Sequence, residues 1–339
     1  MLFLFAAYKG VSVGSVEYIN KNNPDIWILQ RNAWNILRGT SMLPLKQMNE
    51  LKMIEGVGSV SPVLLILSTV KKEKPIATVY LAGFDPKCEL GGPPEITEGT
   101  IKINDNEIIL DESFAKKFGY KVGSKIYLQQ DTLSVAGIST GTNALVIQYA
   151  FVTLARAEML LGVPGIVTCY LIKAKDKRFV QNIQDSIKSK FNDVEVYDHE
   201  TFLKNNIKEM ETGFLPFIFT IAVMGIVVLT TILSLILSIN ILEQRKDLAV
   251  IKTLGAPKTF LPGIVIKQAM AISFAGSIVA LILFFPLTYL IEKVSPEIKT
   301  ISSLYQVISI LAVVIAVSLI SSVVSIRRLR KIYPMEVFK

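Results

Sequence analysis

The chain has little with which to do chemistry. Its 339 residues include two cysteines, Cys88 and Cys169, and a single histidine, His199. Neither cysteine belongs to a C-x-x-C pair, and their separation in sequence leaves both a disulfide and two unpaired thiols open. His199 is followed by Glu200 but lacks a second histidine at metalloprotease spacing. No G-x-x-x-x-G-K-[ST] phosphate loop exists: Gly119 and Gly123 stand four apart and Lys125 follows Ser124, which excludes ATP binding through such a loop. One nucleophile pattern turns up, Gly137-Ile138-Ser139-Thr140-Gly141, which fits G-x-S-x-G with His199 further along. A nucleophile elbow also needs a helix directly after the serine and a large parallel sheet around it, whereas Thr142 and Asn143 continue a loop in a short, hairpin-like region. A serine hydrolase is therefore not expected, nor any catalytic, cofactor-binding or metal-ligating residue.

Charge is also scarce inside the long apolar runs. Lys267 falls within one of them, near its basic end, where the side chain can snorkel. With no intramembrane carboxylate or basic relay, an ion-coupled carrier with a site at the bilayer midplane is disfavoured.

What the chain has in quantity is apolar surface. Hydrophobic residues make up 51% of it, and the mean hydropathy is +0.48, too apolar for an ordinary soluble enzyme and consistent with a membrane protein. Apolar runs at 214–242, 264–291 and 304–326 are each long enough to cross a bilayer with some tilt. The net charge of +8 concentrates beside these runs, so it reads as topology and not as nucleic-acid binding. Arg245, Lys246, Lys252 and Lys258 lie between the first two runs, and Arg327, Arg328, Arg330 and Lys331 follow the last. The loop 292–303 offers Lys293 and Lys299 against Glu292 and Glu297. The segments 243–263 and 327–339 are therefore expected in the cytoplasm, and 11–213 outside it. Residues 1–10 begin with the apolar stub Met1 to Ala7, far short of a full span. The stub reads as the remnant of a first membrane helix whose beginning is missing, with three full spans as the other reading. Ala269, Ser273, Gly276 and Ala280, and more briefly Ala312 and Ala316, form small-residue ridges for helix packing, and Pro286 should kink its span.

From Val11 to Gly213 the composition is that of a soluble domain. Asp25 to Gln30 alternates as a strand, Leu45 to Ile54 reads as a helix, and Val57 to Val70 as a strand that turns at Lys71 to Pro75 and returns through Val79. The far end repeats this order. Val167 to Ala174 is a strand, Asp176 to Phe191 an amphipathic helix with Phe179, Ile183, Ile187 and Phe191 on one face, and Val194 to Tyr197 a second strand. Two strand-helix-strand units flanking an insertion predict one split α/β sandwich. The insertion, about 99–150, is mainly β, with Ile108 to Gly119 reading as strand, cap and helix and Val122 to Leu128 as turn and strand.

The stretch that organises the whole is Glu243-Gln244-Arg245-Lys246-Asp247-Leu248-Ala249-Val250-Ile251-Lys252-Thr253-Leu254-Gly255-Ala256-Pro257, a short charged helix between two apolar runs. Leu248, Ile251 and Leu254 form a narrow apolar stripe, Gly255 supplies a left-handed stop, and Pro257 prevents continuation. This segment resembles the cytoplasmic coupling segment of MacB/FtsX-type ABC transporter permeases. The resemblance extends over essentially the whole chain after Ala7, and is strongest in this segment and weak in the outer domain. It implies an α+β membrane protein in which transmembrane helices carry an extracytoplasmic, porter-like split α/β sandwich with an inserted small β subdomain. It also implies a non-enzymatic permease subunit of the inner or plasma membrane, without a cofactor. A separate ABC ATPase would be contacted through Glu243, Arg245, Lys246, Asp247, Leu248, Ile251, Lys252, Leu254, Gly255 and Ala256. A homodimer is expected, because three or four spans are too few to enclose a pathway, and an outer adaptor protein is a further expected partner. The strand Asp25 to Gln30 and the closing Arg330 to Phe338 resemble DevC-type exporters in particular. A second implied function is that of the cell-division members, membrane scaffolds that activate a cell-wall hydrolase. The α/β domain with its inserted β lobe favours export, lipoprotein or lipid release, or efflux.

Overall fold

The computed structural model describes residues 1–37, 39–71, 76–128, 131–144, 147–257, 259–296 and 300–329. Most of the turn expected at Lys71 to Pro75, the basic residues Lys258, Lys299, Arg330 and Lys331, the acidic Glu297, and the closing Arg330 to Phe338 lie outside the described residues. The chain divides into two units. One comprises Met1–Lys9, Phe214–Leu290 and Thr300–Lys339, and the other Gly10–Gly213 with Ile291–Lys299.

The first elements are helix α1 (Leu2–Ser15) and helix α2 (Glu17–Asn22), followed by strands β1 (Ile26–Gln30) and β2 (Leu43–Pro44). Helix α1 runs on past the apolar stub to Ser15, whose hydroxyl donates to the Val11 carbonyl at 2.7 Å. Helix α3 (Gln47–Lys52) occupies only the middle of the helix expected at Leu45 to Ile54, whose ends are turns. Then come β3 (Val57–Lys71), β4 (Ile76–Phe84), β5 (Glu95–Gly99), β6 (Glu107–Asp111), α4 (Glu112–Phe118), β7 (Lys125–Leu128), β8 (Asp131–Thr140), β9 (Asn143–Ala144) and β10 (Ile147–Thr153). The domain closes with α5 (Leu154–Leu161), β11 (Ile166–Val167), β12 (Cys169–Ala174), a 3-10 turn (Lys177–Phe179), α6 (Val180–Lys190) and β13 (Val194–Asp198).

The main sheet has the order β13-β1-β12-β3-β4-β10-β6-β8-β5. Strand β1, from the start of the domain, lies antiparallel between β12 and β13 from its end, as a split sandwich requires. All four apolar residues of β1 are buried, but they go to opposite faces. Ile26 and Ile28 pack with Tyr170, Ile172 and the α6 residues Ile183 and Ile187. Trp27 and Leu29 pack with Tyr18, Tyr149, Phe151 and Phe202. Phe179, expected on the buried face of α6, is 42% exposed. It belongs to the 3-10 turn, whose tighter winding takes it out of phase with Ile183 and Ile187.

The inserted lobe is not a separate sheet. Strand β7 pairs with β8 and with the far end of β3, which closes a ring through β3, β4, β10, β6, β8 and β7. A second core of Leu64, Val79, Leu81, Ile108, Leu110, Phe114, Ile126, Leu133, Val135 and Val152 belongs to this ring. The lobe therefore borrows β3 and β4 from outside residues 99–150. Asp111 caps α4 by accepting the amides of Ser113 (2.8 Å) and Phe114 (3.4 Å), and it takes the Thr142 hydroxyl at 2.7 Å.

Among the described residues three helices are long and apolar enough to cross a membrane: α7 (His199–Glu243), α9 (Phe260–Val294) and α10 (Leu304–Leu329). Between α7 and α9 lies the short α8 (Arg245–Thr253). Helix α7 contains Pro216, which has no amide to bond the Thr212 carbonyl. Helix α10 does not pack through Ala312 and Ala316, which are exposed, but through buried Ser318, Ser321, Ser322 and Ser325. The Ser321 hydroxyl donates to Thr230 O (3.2 Å) and that of Ser325 to Ser234 O (3.1 Å). Both bonds join residues 91 apart, so the two helices run in the same direction. On α9, Ala269 is buried and Ser273 bonds Ser318, while Gly276 and Ala280 stay exposed.

Candidate coupling site

Helix α8 follows α7 after the single residue Gln244. The helical ladder nearly persists through this break, with Gln244 N bonding Asn240 O (3.1 Å) and Leu248 N bonding Gln244 O (3.0 Å). Its far end is a Schellman stop: Ala256 N reaches back to Ile251 O at 3.4 Å over Gly255, whose φ of +90° a side chain would strain. Pro257 follows, and its carbonyl accepts the Phe260 amide at the start of α9. The stop signals Gly255 and Pro257 thus sit where the sequence put them.

The apolar stripe divides. Leu248 is buried in the chain's own apolar cluster with Leu233, Leu237 and Ile241 of α7, Val265 and Ala269 of α9 and Ile326 of α10, and Ala249 beside it is buried as well. Ile251 is half-buried, and Leu254 is 81% exposed. The cause is helical geometry: each step of three residues falls about 60° short of a full turn, so Leu248 and Leu254 point about 120° apart. The outward face holds Glu243, Asp247, Val250 and Leu254, with Lys246 exposed beside it. Arg245 and Lys252 lie on the same helix by their backbone. Val250, 44% exposed and one turn before Leu254, joins this edge through the i, i+4 spacing, which a stripe read at three-residue steps leaves out. The exposed edge of α8 is therefore two apolar side chains ringed by charge of both signs, a shape suited to a groove in a partner protein.

The hydrolase pattern resolves differently. Ser139 lies inside β8, fully buried, its hydroxyl donating to Leu110 O (3.3 Å) and lying 3.2 Å from that of Thr142. The residues directly after it, Thr140 to Ala144, are strand, bend and coil and not helix. His199 starts α7, where its Nδ1 accepts the Trp27 indole N–H at 3.5 Å. Cys88 is half-buried and Cys169 fully buried, and both are free thiols. Burial pushes the Cys169 thiol far up, which leaves it inert.

Family models bear on both units. Residues 1–190 match the MacB-like periplasmic core domain, and residues 218–334, which include α8, match the FtsX-like permease C-terminal region. Three solved structures are similar to part of this chain. The periplasmic region of MacB from Actinobacillus actinomycetemcomitans is 14% identical, with a TM-score of 0.43, and the match covers 56% of this chain and 95% of that one. The extracellular domain of the ABC-type transporter YknZ from Gram-positive bacteria is 13% identical (TM-score 0.40, 52% and 100% covered). A domain of a permease protein from Porphyromonas gingivalis is 12% identical (TM-score 0.36, 52% and 91% covered). Between them the two family models cover every strand of the outer sheet except β13, the apolar helices from residue 218 of α7 onward, and α8. The chain accordingly belongs to the MacB/FtsX-type ABC transporter permeases, as a membrane protein with an extracytoplasmic domain and, by family, an ATPase partner.

Proposed function

We propose that this chain is the non-enzymatic permease subunit of an ABC exporter or release system, and that α8 is the surface on which a separate ATPase docks. The observation that carries the reading is the outward apolar pair Val250 and Leu254, presented by a helix whose opposite face is anchored in the apolar bundle through Leu248, with Ala249 buried beside it. A helix so held has little freedom to fold its exposed leucine away. The basic residues around it support a cytoplasmic side for α8 and the C-terminus, in an inner or plasma membrane, with the sheet domain outside. The match of 1–190 to a MacB-like periplasmic core supports a transporter permease, and we prefer export or release to the cell-division role. Two copies supply two coupling helices for two ATPase subunits. An outer adaptor is the expected partner of the sheet domain. ATP-driven closure of the ATPases moves the outer domains, and no substrate crosses between the bilayer helices.

The test is recovery of the ATPase with detergent-solubilised permease. Wild type should retain it and Leu254→Asp should lose it. Equal recovery would mean that α8 is not the docking element. Cross-linking in native membranes should yield dimers, and monomers alone would refute the paired arrangement.

A further inference from the structure

We infer that Asn206 is a positioning residue: it locks α7 to the backbone of the 31–37 segment, from which a chain of buried rings leads to the loop at the entrance of the inserted lobe. The inference rests on the reading that the ATPase moves the outer domain, and adds the point at which α7 grips that domain.

Asn206 is fully buried on α7, four residues after Phe202, whose ring stacks on Trp27 of β1 at 4.5 Å between centroids. A leucine would suit this apolar setting and the helix better. Instead the amide is satisfied from both sides: Nδ2 donates to Phe202 O at 2.8 Å, and Oδ1 accepts the amide of Ile36 at 3.1 Å. A buried asparagine with one specific partner fixes register as an apolar residue does not. Sliding α7 by one turn, about 5.4 Å, would bring Phe202 or Met210 opposite Ile36; the phenyl ring offers its N–H no acceptor atom and the thioether sulfur only a weak one. Axial movement of α7 must therefore either carry Ile36 along or break this bond.

Ile36 is gripped from its other side as well. Its carbonyl accepts the hydroxyl of Tyr80 on β4, and the Tyr80 ring meets Tyr149 of β10 edge-on at 5.2 Å. Tyr149 stacks on Tyr18 of α2 at 4.7 Å. The Tyr149 hydroxyl is buried with no hydrogen-bond partner among the described residues, so only ring packing holds it in this line. The Tyr18 hydroxyl donates to Gly91 O at 2.7 Å. Asn22, also on α2, accepts the Gly91 amide at 2.8 Å and donates to Gly92 O. Gly91 has a φ of +98°, and a Cβ there would meet Val63 at 2.5 Å, so the loop fits only as glycine. Beyond it lies a cleft of about 330 Å³ lined by Asn22, Phe84, Cys88, Leu90, Gly92 and Lys102.

Hydrogen exchange followed by mass spectrometry tests the lock, on the full chain with its ATPase in nanodiscs, with and without a non-hydrolysable ATP analogue. In the wild type, nucleotide should change exchange at residues 31–37 and at 89–92. In Asn206→Leu both differences should vanish while the ATPase is recovered in full and its basal hydrolysis is unchanged. Tyr80→Phe keeps the ring and removes one hydroxyl; it should retain the difference at 31–37 and lose that at 89–92. A general loosening of the fold would raise exchange with and without nucleotide alike and leave the differences intact. The inference is overturned if Asn206→Leu keeps the wild-type difference at 31–37, or if a wild-type complex with ATPase bound shows none. If Asn206→Leu does not fold, a difference at 89–92 that persists in Tyr80→Phe overturns it. Failure of the wild type to retain the ATPase would overturn the docking reading as well.

Discussion

Leu254→Asp separates docking from folding more cleanly than any other change on α8. Leu254 is 81% exposed and Leu248 only 7%, so the two apolar residues of one short helix serve different structures. In the free chain the introduced carboxylate would stay in water, and the fold should scarcely notice it. In the complex the substitution removes the burial of a leucine, about 1.5–3 kcal/mol, and leaves a carboxylate to be desolvated against the partner. A combined loss of roughly 3 kcal/mol is about a 100-fold weaker Kd, readable by titrating the ATPase with permease in detergent. Leu248→Ala is the counterpart. It opens a cavity among Leu237, Ile241 and Val265, should cost ~2–4 kcal/mol of stability, and leaves the outward face in place. Its Kd for the ATPase should stay near that of the wild type while its unfolding midpoint falls. Equal ATPase affinity for Leu254→Asp and wild type, or a binding defect confined to Leu248→Ala, would refute the assignment of faces.

Gly255→Ala meets no steric obstacle, since nothing lies within 4 Å of the added Cβ, so its cost is the left-handed backbone alone, about 1–2 kcal/mol. Amide exchange at 250–256 should rise, and ATPase affinity should fall several-fold. Asp111 has its carboxyl raised above the usual carboxylate range by burial, a rise opposed by the Thr142 hydroxyl and by the Ser113 and Phe114 amides. The folded state then holds that proton at higher pH than the unfolded chain, so this group's contribution is fully favourable below the unfolded pKa and is lost as pH rises through the folded one. Asp111→Asn keeps the capping oxygen, and should raise the melting temperature of the outer domain at neutral pH but not near pH 4. Ser325→Val loses the bond to Ser234 O and should cost about 1 kcal/mol in a membrane-protein unfolding assay such as steric trapping.

The parts legible in the sequence were those governed by one period. The apolar runs, the strand Ile26 to Gln30 and the stop at Gly255 all follow from local pattern and appear in the fold. What escaped depends on partners distant in the chain. The closed ring of the inserted lobe is made by pairing Val70 with Leu128, and nothing in either strand alone announces it. The serines of α10 read as polar interruptions of an apolar run, yet they are its packing face, since their hydroxyls find carbonyls on their own helix or on α7. Asn206 reads as a solvent-facing helical residue until the Ile36 amide arrives from 170 positions away. At the candidate site, helix and stop were readable, but the orientation of the stripe needed the neighbouring helices that claim Leu248.

Pro216 determines what kind of load α7 can bear. Along its axis a helix is stiffened by several parallel columns of hydrogen bonds and by the covalent chain, so the one bond missing at Thr212 hardly softens it against thrust. Bending is different, because it opens the ladder on one side, and here one rung is already open. If the ATPase drives α7 as proposed above, the helix is a push-rod with a soft joint in its shaft, delivering a stroke while shedding sideways moment. An alanine in place of Pro216 would restore the rung and convert the rod into a lever.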